Sequence, residues 1–482
     1  MEEVNEFLSR IRSELINFEI LANIFFFFNR PTEDILKRYS FRNKSTRISF
    51  CIDFLLSIPR ILIAFSVSIA ISLLRVREGA KFKLDSISKR NTLILSHYTP
   101  RQNPRIEDVF FSPILDCLDA NRFFLNSTRK FSHLIEREYA SAGVPNVVAN
   151  TKTLPIWEMV WLHFNQSRLT FILLKSAWVK TFLTYEQRRL LVRGAIYQHR
   201  RGTVANLVMK RRLQSVIEKA APERLVLTIE GHAHEHVILQ MRKLLFPQIK
   251  IIGFQHAPIV PGQLSLFNLL QNFTSRDSVL LSGNIPKELI SRHVPNLHVK
   301  IVGSPKYLKP IAAINKPEKC VVLGAVEATH DSVKTFFELF GYLAANLPEF
   351  GFKLRFHPDI SVKITKRILR RLSTFENLEL SSSSLENDLV EAKFIIFRSS
   401  AVAIQGLSRF AIPIHFDSIA HGLMNPLSGT VFQDFSYEDP TQILEYFRNF
   451  DYVRYSKIVK QSDFLDTSLN YFSAPTKITQ LI

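Results

Sequence analysis

The sequence predicts an α/β protein: two Rossmann-like, doubly wound domains in tandem that face each other over a cleft, behind a helical N-terminal extension. Three observations predict it. Short, near-continuous apolar runs alternate with longer helical stretches, the pattern of parallel sheets covered on both faces. A segment rich in Pro and Lys, from Ser304 to Lys319, separates one such series from a second. The chain, at 482 residues, is also longer than one compact core accommodates.

Residues 1–88 read as the extension. They contain Ile24-Phe25-Phe26-Phe27-Phe28 and an apolar stretch from Phe54 to Leu74. Pro59 and Arg60 interrupt that stretch and leave 14 apolar or small residues, Ile61 to Leu74, short of the roughly 20 that a spanning helix needs. A helix in the membrane interface is expected, with Arg75, Arg77, Lys81 and Lys83 as a basic collar for anionic headgroups; a buried core helix and a true span are the alternatives. Residues 89–303 read as the first Rossmann-like domain. Strands are expected at Thr92–Ser96, around Phe123-Phe124-Leu125, and at Leu225–Ile229, Lys250–Phe254, Ser278–Ser282 and His298–Val302, with basic helical sequence from Tyr185 to Ala221. Residues 304–450 read as the second domain, with strands at Cys320–Leu323, Lys353–Phe356, Phe394–Phe397 and Ile412–Phe416. Residues 451–482 read as a helical tail that packs back on the first domain.

The formal charge of +19 favours a polyanionic partner, either anionic lipid or a phosphate-bearing substrate. Nucleic acid is not expected, because no zinc-finger spacing, aromatic RNA-binding signature or long basic block accompanies the charge. The 40 phenylalanines suit a large apolar interior or a surface that meets lipid. Three widely spaced cysteines, Cys51, Cys117 and Cys320, argue against a disulfide framework and for a reducing compartment. The acidic start lacks the basic n-region of a secretory signal. A cytoplasmic protein, peripheral or monotopic on the inner membrane, is the expectation.

Ligands of open parallel sheets bind beyond the carboxyl ends of the strands, so the residues after each strand carry the chemistry. After Leu225–Ile229 come Glu230, Gly231, His232, Ala233, His234, Glu235 and His236. A carboxylate before a tight glycine turn suits a general base on a sugar hydroxyl; it suits the N-terminus of the next helix as well. The alternating histidines miss metallo-hydrolase spacing, and on a helix residues two apart point to different faces. No metal and no cofactor is expected. Gln255 and His256 follow Lys250–Phe254, and Gly303 and Ser304 follow His298–Val302. With Gly231 and Glu235 these are possible substrate contacts, although a structural His256 reads nearly as well. His357 and Pro358 follow Lys353–Phe356, where the proline fixes the turn and leaves the imidazole at the lip, able to donate to a phosphate. Arg398, Ser399 and Ser400 follow Phe394–Phe397 and open a helical pattern, Ala401 to Phe410, whose N-terminus favours an anion; ordinary N-capping by serine is the alternative. Phosphate-loop and dinucleotide fingerprints, an Asp-x-Asp pair and a Gly-x-Ser-x-Gly elbow are all missing from the sequence, which argues against nucleotide hydrolases, dehydrogenases and serine hydrolases.

Ile229-Glu230-Gly231, His357-Pro358 and Ser399-Ser400, in this order, resemble the acidic-Gly, His-Pro and Ser-Ser/Thr motifs of bacterial sialyltransferases and related ulosonic-acid (Kdo-type) transferases. The wider frame is similar to bacterial surface carbohydrate biosynthesis proteins of GT-B type: Glu230-Gly-x-Ala-x-Glu235, Gly253-Phe-Gln-His256, Val302-Gly303-Ser304 and Ser399-Ser400-x-Val402-Ala403. The resemblance covers residues 90–440. It implies a GT-B glycosyltransferase of surface polysaccharide or lipopolysaccharide biosynthesis, with a CMP-sugar as co-substrate. In such an enzyme His357, Pro358, Ser399 and Ser400, with Arg398 beside them, bind the donor nucleotide and phosphate, and Glu230 deprotonates the acceptor hydroxyl. Two positions depart from those transferases: Ile229, where a second acid is common, and Arg398, where a small residue is common. Alternatives are therefore another nucleotide donor (a CDP-polyol, UDP- or GDP-sugar) or a non-catalytic scaffold of a membrane glycan-assembly complex. The expected partners are a nucleotide-sugar donor, a glycan or lipid-linked acceptor and an anionic membrane surface.

Overall fold

The computed structural model describes residues 47–76, 89–97, 120–125, 147–149, 155–179, 203–311, 320–327, 330–358, 375–417 and 424–477, with a few short pieces between them. The expectations placed on residues 1–46 and on the basic side chains from Arg75 to Lys83 lie outside the described residues.

Two parallel sheets form the cores. The first has seven strands: β1 (Thr92–Ser96), β2 (Asn121–Phe124), β3 (Val147–Ala149), β4 (Arg224–Thr228), β5 (Lys250–Phe254), β6 (Ser278–Leu281) and β7 (His298–Ile301). Their spatial order is β3-β2-β1-β4-β5-β6-β7, parallel at each pairing. The second has six: β8 (Val321–Val326), β9 (Gly351–Phe356), β10 (Leu378–Leu380), β11 (Ala392–Phe397), β12 (Ile412–Phe416) and β13 (Ser436–Tyr437), in the order β10-β9-β8-β11-β12-β13. Both orders reverse once, between β1 and β4 and between β8 and β11, and at such a switch point the strand ends part to leave a crevice. Two doubly wound domains in tandem are the GT-B architecture expected from the sequence.

Burial explains the strand signals. Every residue of β1, β6 and β12 is buried, because helices cover both sheet faces and leave no polar side for alternation to mark. In the first domain those helices are α1 (Arg47–Val76), α2 (Ile156–Val179), α3 (Thr203–Ala220), α4 (Ala233–Leu245), α5 (Leu264–Leu270) and α6 (Asn284–His293). In the second they are α7 (His330–Asn346), α8 (Leu385–Glu391), α9 (Ala401–Leu407), α10 (Pro440–Arg448) and α11 (Tyr452–Ile458). Helix α1 runs through Pro59 instead of breaking there; Pro59 is on the exposed side, where solvent reaches the carbonyl that proline leaves without its donor. Among the described residues no helix is long and apolar enough to cross a membrane.

The last helix, α12 (Gln461–Tyr471), ties the domains together. On the second domain, Ser468 Oγ donates to Ile404 O at 3.2 Å. On the first, the buried Tyr471 hydroxyl accepts from Ile259 N at 2.8 Å and donates to Ile259 O at 2.9 Å, and Ser282 Oγ donates to Tyr471 O at 2.8 Å. Just beyond, Ser304 N donates to Ser473 O at 3.0 Å and Thr476 N to Val302 O at 2.9 Å. Gly303 takes φ +81°, and a Cβ there would fall on the Ala474 carbonyl. The two places where the chain passes between domains thus lie side by side.

Candidate active site

Three neighbouring strands around the first switch point, β1, β4 and β5, deliver His97, Glu230 and His256 at their carboxyl ends. The turn after β4 is set by Gly231, which takes φ +79° and lies so close to α5 that a Cβ would fall on the Leu266 backbone nitrogen. Glu235, in the first turn of α4, closes that turn. Its carboxylate accepts the N–H groups of Gly231 at 2.7 Å and of Glu230 and His232 at 3.0 Å. Glu235 is fully buried and is thereby corrected from possible substrate contact to structural group. The helix-terminus role that Glu230 might have filled belongs to Glu235.

The Glu230 side chain turns the other way and keeps 25% exposure; its Oε1 lies 3.0 Å from His256 Nε2 and its Oε2 3.2 Å from His232 Nε2. His232 stacks on His234 with 5.5 Å between ring centroids, and His234 meets His97 edge-on at 5.3 Å. Phe110 packs edge-on against both His97 and His256. Burial pushes the imidazoles down, His97 to about 4, His234 well below the usual range, and His256 downward against the pull of Glu230. Burial alone would raise the Glu230 carboxyl, but His256 and His232 outweigh it and hold it well below the ordinary value. At neutral pH the Glu230 carboxylate is ionised, beside imidazoles of His97, His234 and His256 whose charged forms burial disfavours. With Nε2–H of His256 given to Glu230, its buried Nδ1 remains an acceptor with no hydrogen-bond partner.

Lys306, in the stretch between the sheets, links this cluster to the second domain. Its ammonium donates to His256 O at 2.8 Å, and its carbonyl accepts from Gln405 Nε2 of α9 at 3.0 Å. Burial pushes the Lys306 ammonium down to about 8, with Glu230 pulling it back up.

The second switch point has a matching arrangement. Glu327 follows β8, His357 and Pro358 follow β9, and Arg398 and Ser399 follow β11, three adjacent strands. Val326 pairs with Phe356 across the ladder, so Glu327 and His357 leave neighbouring strand ends. Here the structure alters the expectation. Glu327 Oε1 accepts from Ser399 N at 3.1 Å and from the Ser399 hydroxyl, while Oε2 pairs with Arg398 Nη2 at 2.9 Å. Arg398 and Ser399 hold a carboxylate instead of forming an open phosphate cradle. Ser400 takes the N-cap role, its Oγ accepting from Val402 N at 3.3 Å. His357 and Pro358 are exposed at the lip, with His357 N bonded to Val326 O at 3.0 Å.

Two further expected contacts have structural duties. Gln255 is buried, its Oε1 accepting from Ser282 N at 3.0 Å and its amide donating to Ala257 O. Ser304 is buried at the domain crossing beside Gly303, its Oγ accepting from Lys306 N at 3.0 Å. The site residues that sequence reasoning missed are His97, His232, Lys306 and Glu327. The strand-end rule applied to Thr92–Ser96 points straight at His97. Glu327 was hidden because the expected strand stopped at Leu323, short of the observed end at Val326. Among the described residues, no three His, Cys, Asp or Glu side chains converge as metal ligands.

No protein-family profile matches the sequence, and no curated protein does. Solved structures resemble it distantly. They include UDP-GlcNAc 2-epimerase from Neisseria meningitidis (11% identity, 78% of this chain and 99% of that one, TM-score 0.41). The lipopolysaccharide outer core galactosyltransferase WaaB (12%, 80% and 95%, TM-score 0.42) and the glycosyltransferase SnogD from Streptomyces nogalater (10%, 81% and 97%, TM-score 0.44) are similar to the same extent. At such distances the functional reading rests on the site itself.

Proposed function

We propose that this chain is a glycosyltransferase that moves a sugar from a nucleotide-activated donor to a surface-glycan acceptor, free or lipid-linked, without a metal. The observation that supports the reading is that each switch point carries its own charged cluster, Glu230 with its histidines at one and Glu327, His357 and Arg398 at the other, and that Lys306 bonds to His256 on one side and to Gln405 of α9 on the other. The acceptor hydroxyl loses its proton to Glu230 as its oxygen bonds to the anomeric carbon. The bond from that carbon to the donor phosphate breaks, and the leaving phosphate keeps the electron pair. Lys306 and His357 offset the charge that grows on the leaving group, while Arg398 stays paired with Glu327. Glu327, whose two oxygens accept hydrogen bonds, suits the hydroxyls of a ribose.

A CMP-activated ulosonic acid is the first donor to test, on the strength of the motif order. A second reading has a specific observation in its favour: Glu327 already engages Arg398 and Ser399, which leaves neither open to the carboxylate of a sugar acid and favours a neutral sugar on UDP or another nucleotide. A thermal-shift screen against CMP, CDP, UDP and GDP decides the nucleotide, since ligand at 100 times Kd stabilises by about 2.7 kcal/mol. Glu327→Gln should weaken the preferred nucleotide by about tenfold or more, as expected for loss of a charged acceptor. No shift with any nucleotide would leave only the scaffold reading.

Lys306 sets a pH dependence. The ammonium is present below about pH 8 and lost above it, so kcat/KM should fall on the alkaline side with a midpoint there. Lys306→Arg, which keeps its charge, should move that limb to higher pH. An unchanged limb in this variant assigns it to another group.

A further inference from the structure

All three tryptophans of the chain sit on one helix and face outward. Trp157, Trp161 and Trp178 of α2 are 70%, 57% and 49% exposed, where residues of this size are ordinarily covered. Positions 157, 161, 164, 168, 171, 175 and 178 follow each other at steps of four and three, so they form a single stripe along the helix. Phe164 and Phe171 continue the apolar surface, and the two remaining positions are the exposed Arg168 and Lys175. The stripe holds no acid. Glu158, the acidic residue of this helix, is turned to Arg211, 2.9 Å away. The opposite side, with His163, Thr170, Leu174 and Ala177, is buried. Helix α1 extends the surface: its Phe50 and Phe54 rings lie 5.7 and 4.9 Å from Trp178, and its Leu55, Leu62 and Ile63 are exposed.

We propose that the outer face of α2 docks in the plane of an anionic lipid bilayer. Tryptophan and phenylalanine at headgroup depth, with basic side chains snorkelling between them, are what an interfacial helix presents. The net charge of +19 adds attraction to an anionic surface. A second copy of the chain fits poorly, because pairing two such stripes would set Arg168 and Lys175 against like charges. The proposal is independent of the glycosyl-transfer reading, and its test measures binding, not turnover.

The full chain is titrated with vesicles of phosphatidylcholine alone or mixed with phosphatidylglycerol, and tryptophan emission and co-sedimentation are followed. Because no tryptophan lies elsewhere, the emission reports this face directly. Anionic vesicles should blue-shift it, brominated lipid should quench it, and neutral vesicles should bind at least tenfold more weakly. Arg168→Glu with Lys175→Glu should also weaken binding at least tenfold, at about 1 kcal/mol for each basic residue lost. Trp157→Ser, Trp161→Ser and Phe164→Ser together should abolish it, and an unchanged melting temperature confirms the fold. Unshifted emission at saturating anionic lipid overturns the proposal. So does undiminished binding by the triple variant, or a concentration-dependent dimer that shifts the emission without vesicles.

Discussion

Glu230→Gln is expected to lower turnover by about 10²–10⁴-fold, the range of a lost general base, with nucleotide affinity unchanged. The substitution keeps the shape of the side chain and its two contacts, to His256 and His232, but removes the charge that takes the proton. The carboxylate is ionised across the working pH range because the neighbouring imidazoles outweigh its burial. It therefore needs no activation, though a low pKa makes it a modest base until the acceptor displaces a histidine. Single-turnover rates with the preferred donor measure the loss. Turnover like that of the unaltered enzyme would place the proton acceptor elsewhere, with the buried His256 Nδ1 the next group to test.

Gly231→Ala is expected to cost roughly 2–4 kcal/mol, from a left-handed backbone forced on alanine together with a collision in a packed region. The new methyl would meet the Leu266 backbone of α5, which has no flexible end to yield. Melting should drop by about 5–15 °C. Activity should fall further than stability, because the strain displaces both Glu230 and His232. Calorimetry alongside turnover at a temperature where the variant remains folded separates the two effects. A melting temperature within a degree or two of the unaltered protein would mean that α5 yields to the added methyl.

The strands around both switch points were legible in the sequence because buried parallel strands are apolar from end to end. Lys250–Phe254 and Ile412–Phe416 are correct to the residue. The edge strands β3, β10 and β13 were not legible: with two or three residues each they carry no run to recognise. Glu230 at a strand end was readable, yet its division of labour with Glu235 was not. Both are acids of one short segment after β4, and only the fold decides which one reaches the backbone amides. Ser399 shows the same limit. A serine at a strand end reads as a phosphate ligand until its partner, distant in sequence, is found to be Glu327.

The paired crossings at Gly303 and Ser473 also govern movement. A single connection lets two bodies swivel in any direction, whereas two adjacent ones, laced by hydrogen bonds from Ser304 to Ser473 and from Thr476 to Val302, act like the pin of a door. Lys306 lies three residues from Gly303, so its bond to His256 O is anchored at this pin.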